Sequence, residues 1–144
     1  MFEKLFTLVK DNAGMAVINN PEIAVKDQEA VIIEASSSII EVLKGQVENG
    51  KLKDLIKYFQ FPDIYNNPLI NSTINKFANK LNNYYGIEPI VAAEVAKGLI
   101  TPVMQDLMHQ STEKNNDFAL NILLGNLSGN KARMETLLDQ LAMA

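Results

Sequence analysis

The chain has 144 residues, a net charge of −4 and 47% hydrophobic residues, enough length and apolar content for one domain, 1–144, with a core of its own. It holds no cysteine and one histidine, His109, which excludes disulfides, thiolate zinc sites, cysteine nucleophiles and multi-histidine metal centres within one copy. The acidic balance and the lone arginine, Arg133, leave no cationic cluster of the kind that displaces counterions from nucleic acid.

Helical periodicity runs through the chain in order. Phe2, Leu5, Phe6 and Val9 recur at spacings of three and four and predict a short amphipathic helix over about 2–13, with Gly14 as its left-handed C-terminal cap. Met15 to Ile23 reads as an irregular connector, with a turn at Asn19-Asn20-Pro21. A long helix follows over about 26–49, capped at or beside Asp27, with Ile32, Ile39, Ile40, Leu43 and Val47 on one face. Glu34, Glu41 and Glu48 stand on the opposite side and read as a solvated stripe. Ala35-Ser36-Ser37-Ser38 at its centre is small enough for another helix to approach closely. Asn49-Gly50 stops it, and Leu52, Leu55, Ile56 and Phe59 mark a short helix over about 51–60. Asn67-Pro68 is a strong helix start, with Asn at the N-cap and Pro where its missing N–H does no harm. The stripe Leu69, Ile70, Ile74, Phe77, Leu81 and Tyr84 carries that helix to Gly86. Pro89 opens a fifth helix to about 110, which Pro102 should kink. A polar loop over 111–116 and short helices over 118–124 and 133–142 complete the chain. No strand is evident. The fold class is therefore all-α, a compact multihelical domain of six or seven helices.

An internal repeat is written into this order, with halves 1–60 and 68–125. A shift of 72 sets Phe2, Leu5, Val9 and Gly14 on Ile74, Phe77, Leu81 and Gly86; a shift of 60 sets Glu34, Ile39, Ile40 and Val47 on Glu94, Leu99, Ile100 and Leu107. The two long helices should then occupy equivalent places and cross near Ser36–Ser38 and Ala96–Gly98.

The second half carries Gly86-Ile87-Glu88-Pro89, Ala92-Ala93, Leu99-Ile100-Thr101-Pro102-Val103-Met104 through Leu107, and Leu123-Leu124-Gly125. Over residues 68–130 this resembles the YidB-like bacterial proteins of unknown function. Glu88 stands where that pattern usually has Ser. The resemblance implies an all-helical domain and supplies no catalytic residue.

Candidate chemistry is sparse. Asp106 and His109 lie at i and i+3, but one imidazole and one carboxylate are too few ligands for a metal. An exposed histidine near a helix C-terminus, where its cation meets the dipole, explains the pair. Glu34 and Glu94 would be brought together only by the repeat. Ser36–Ser38 lacks a nucleophile elbow, and the seven glycines form no phosphate loop. Tyr84-Tyr85 reads as an exposed tyrosine beside a core one. The Gly86 turn does not make a DNA reader, since Ile90, Val91, Ala92 and Ala93 cannot hydrogen-bond base edges. Lys44, Lys51, Lys53 and Lys57 are interleaved with Glu48 and Asp54 and read as a mixed surface.

The N-terminus lacks a basic, apolar and cleavable leader pattern, and no apolar run approaches the about 20 residues that span a bilayer. These features point to a soluble cytoplasmic, non-catalytic interaction or structural protein, with no cofactor, no metal and no nucleic acid. Its partner would be another protein or a second copy in a weak homodimer. The surface expected to make that contact is Phe2, Leu5, Phe6, Met15, Val17 and Ile18, because a terminal segment so apolar must dock somewhere. The alternative is a bundle that holds an apolar small molecule or lipid near Pro102, Met104 and Met108.

Overall fold

The computed structural model describes residues 2–60, 66–112 and 125, Phe2 through its backbone alone. Five α-helices form where the apolar periodicity places them: α1 Phe2–Asp11, α2 Gln28–Glu48, α3 Leu52–Gln60, α4 Pro68–Tyr85 and α5 Pro89–Ser111. No strand occurs among the described residues, and the fold is all-α. The expected helices over 118–124 and 133–142 lie outside them.

α4 is held at both ends by its own sequence. Pro68 supplies its first turn, and the Asn67 side chain accepts from Leu69 N–H at 2.9 Å. The same buried amide donates to the Tyr58 carbonyl at 3.3 Å and lies 3.9 Å from the Met108 sulfur, so one asparagine joins α3, α4 and α5. At the other end Gly86 takes φ 64°, and its N–H caps the Asn82 carbonyl at 3.2 Å. The left-handed conformation costs glycine little. Asn82 in turn donates to the Ile87 carbonyl at 2.8 Å, which fixes the exit toward α5.

α4 packs most extensively on α5 and next on α2; α1 lies on α2, and α3 touches α2, α4 and α5. The core between them holds Phe59, Phe77, Ile39, Leu43, Leu69, Ile70, Leu81, Leu99, Ile100, Met104 and Leu107, all essentially out of water. Buried hydroxyls satisfy themselves along their own helices: Ser36 on Ile32, Ser38 on Glu34, Thr73 on Leu69 and Ser111 on Met108 carbonyls.

Several expectations are corrected. Gly14 is not a left-handed cap. It opens a π turn, Gly14–Ile18, so the chain leaves α1 by widening the helix instead of reversing it. Asp27 stands at the N-cap of α2, but its side chain makes no cap hydrogen bond. It belongs to a 3-10 turn, Val25–Asp27, and its helical backbone keeps the carboxylate from the first free N–H groups. α2 and α5 each pack chiefly on α4. Gly98 instead faces the π turn, where a Cβ would lie 3.8 Å from that of Ala16.

The glutamate stripe is also not simply solvated. Lys80 reaches Glu34 at 3.5 Å and Glu41 at 3.2 Å, and Lys76 reaches Glu41 at 3.2 Å, so the stripe lies along the seam between α2 and α4.

Candidate functional site

The segment joining α1 to α2 presents the most exposed apolar side chains of the N-terminal half, and its backbone explains why. After α1, Ala13 O accepts from both Val17 and Ile18 N–H at 3.0 Å, and Gly14 O accepts from Asn19 N–H at 2.9 Å. The five-residue spacing of a π turn rotates successive side chains away from an α-helical stripe. Ala13 and Val17 turn inward, while Met15, 86% exposed, and Ile18, 44% exposed, turn outward.

Asn20 then builds an Asx turn. Its side chain donates to Ala16 O at 3.0 Å and accepts from Glu22 N–H at 3.0 Å. Ile23 is buried and anchors the segment a second time; Val25, two residues on, is 82% exposed. The Gln28 amide donates to Ile18 O at 3.1 Å and ties the start of α2 back to the π turn. Anchors at Val17 and Ile23 therefore hold a connector whose outward residues are Met15, Ile18 and Val25. A shallow depression of about 360 Å³, open to solvent, runs along it beside Ile18, Pro21, Ile23, Ala24, Val25 and Gln28.

A second open depression, about 350 Å³, lies between α1 and α2 and is lined by Glu3, Phe6, Thr7, Glu29 and Ile33. Elsewhere Tyr84 and Ile90 stand exposed on either side of the Gly86 turn.

Of the expected contact residues, Met15 and Ile18 are exposed, and Phe6 is half-buried in the α1–α2 depression. Leu5 and Val17 are corrected: both face the core, Leu5 from the apolar stripe of α1 and Val17 from the inner side of the π turn. The side chain of Phe2 lies outside the described residues. The sequence reading missed Val25 and Ile33. Val25 had a usable signal, being apolar just before a helix and off its stripe. Ile33 gave none, since it adjoins the true core residue Ile32.

The polar candidates are dispersed. His109 is exposed in the last turn of α5, and Asp106 accepts from Gln110 at 3.0 Å. Glu94 is exposed on α5, whereas Glu34 pairs with Lys80 of α4. Among the described residues no group of three or more His, Asp or Glu side chains is close enough to hold a metal. Met104 and Met108 are packed into the core. Tyr84 is exposed; Tyr85 is half-buried, and burial, with the nearby charges of Glu34 and Asp27, raises its phenol above the usual value.

Fold and surface together define an all-α helical bundle with an anchored, outwardly apolar connector. No helix among the described residues is long and apolar enough to cross a membrane. Compared with known protein families, curated proteins and solved structures, the chain matches none.

Proposed function

We propose that this chain is a non-catalytic helical interaction protein of the cytoplasm, working without cofactor or nucleic acid, and that it self-associates weakly through the connector. The observation that carries the reading is the outward set Met15, Ile18 and Val25 on a segment anchored in the core by Val17 and Ile23. A free connector would tuck such side chains away; here the π turn and the Gln28 tie commit them to solvent. Exposed apolar clusters of this kind mark contact sites.

Charge supports a second copy as the partner. Residues 14–25 contain one charged side chain, Glu22, so two connectors can meet about a twofold axis with little repulsion. The resemblance to YidB-like proteins read from residues 68–130 of the sequence would fit a helical domain of this kind.

Sedimentation velocity over a range of concentrations tests the proposal. Wild-type protein should show a concentration-dependent rise in sedimentation coefficient, and Met15→Ser/Ile18→Ser should remain monomeric with an unchanged circular dichroism spectrum. A wild type that stays monomeric at high concentration, or a double variant that associates as wild type does, would remove the connector as the contact surface.

A further inference from the structure

The depression between α1 and α2 shares no lining residue with the connector and differs from it in charge. One wall comes from Glu3, Phe6 and Thr7, which lie on one face of α1 at i, i+3 and i+4. The other comes from Glu29 and Ile33, one turn apart on α2. Phe6 is half-buried, and Ile33 is 38% exposed, an apolar floor in contact with water.

Both flanking carboxylates are exposed, and neither has an ion-pair partner among the described residues. This contrasts with Glu34 and Glu41 farther along α2, where Lys76 and Lys80 supply the opposite charge. Lys4 and Lys10 of α1 do not line the depression. Two acidic pairs thus differ: Glu34 and Glu41 face lysines across the α2–α4 seam, whereas Glu3 of α1 and Glu29 of α2 flank an apolar floor with no ion-pair partner among the described residues.

We infer that this groove docks a cationic amphipathic helix from a partner protein. A large aliphatic side chain of that helix enters between Phe6 and Ile33, and lysine or arginine side chains on its flanks reach Glu3 and Glu29. A second copy of this chain does not suit the site. A twofold contact through it would bring Glu3 and Glu29 of both copies together with no cation between them. The inference rests on the reading of the chain as an interaction protein but uses a different surface, so the two can fail separately.

The test is a fluorescence-anisotropy titration of the full chain with a labelled leucine–lysine amphipathic helical peptide. A second peptide carries glutamate in place of each lysine. The lysine peptide should bind with an affinity that falls as salt rises, and the glutamate peptide should not bind. Glu3→Gln and Glu29→Gln should each weaken binding by roughly fivefold, the scale of one exposed ion pair. Ile33→Ser should weaken it without changing the salt slope. Glu94→Gln, at an exposed carboxylate on α5, should leave it unchanged. Met15→Ser/Ile18→Ser should bind the peptide as wild type does while losing self-association. The inference is overturned if the lysine peptide does not bind. It is overturned equally if Glu94→Gln weakens binding as much as Glu29→Gln does, since the attraction would then be that of net charge alone. Loss of self-association in Glu29→Gln would also overturn it, by making a second copy the occupant.

Discussion

Ser36, Ser37 and Ser38 are identical in chemistry and differ in fate. Ser36 and Ser38 have no exposure and give their hydroxyls to carbonyls one turn back; Ser37 is half-buried. A leucine at Ser38 must force its volume into a filled core, whereas one at Ser37 can lean toward water. Ser38→Leu should therefore lower stability by about 1–3 kcal/mol, and Ser37→Leu by clearly less, as read from urea unfolding midpoints. Equal midpoints for the two would place Ser38 at the surface. The sequence marked this stretch as small because something packs there, which is so, but not which helix does. Small residues report close approach and not the identity of the neighbour. Asn67 was readable as a cap from Asn-Pro alone. Its second bond, to the Tyr58 carbonyl, depends on a tertiary contact nine residues back that no local pattern encodes.

At the scale of elements, what could be read follows from how each helix ends. α3, α4 and α5 fall within a residue or so of their expected bounds, because Asn49-Gly50, Asn67-Pro68, Gly86 and Pro89 punctuate them through the backbone itself. The connector escaped, since Gly14 permits a left-handed cap and a π turn alike, and the choice is made by Val17 finding a place in the core. The wider turn thus separates neighbours in the connector, sending Met15 and Ile18 outward and Val17 inward. The glutamate stripe misled for a related reason, as charge on a helix reads as solvated until a partner helix brings lysines to it. Burial pushes the Glu41 carboxyl upward, but the hydrogen bonds and charges of Lys80 and Lys76 outweigh it and hold the group below its usual value. A carboxyl lowered in the folded state adds stability above its unfolded pKa and loses it as pH falls through the lowered value. Glu41→Gln should thus cost up to about 1 kcal/mol at neutral pH, the range of an exposed pair, and almost nothing in acid below both values. Urea unfolding at the two pH values checks this; an equal cost in acid would mean that packing, not charge, holds the α2–α4 seam.

At the scale of the molecule, the N-terminal half gives one side to the core and turns the other outward. α4 joins α5 to α2, and Leu5, Leu8, Val9, Ala13, Val17 and Ile23 of α1 and the connector complete the same core. The connector rests on it through Val17 and Ile23 and keeps Met15, Ile18 and Val25 in solvent. A core that is complete without those side chains leaves them for another molecule. The most direct measurement is backbone amide chemical shift by NMR as the protein is diluted. Concentration-dependent shifts should be confined to residues 14–25 and vanish in Met15→Ser/Ile18→Ser. Shifts centred instead on Tyr84–Ile90, or none at any concentration, would contradict the assignment of the connector as the contact surface.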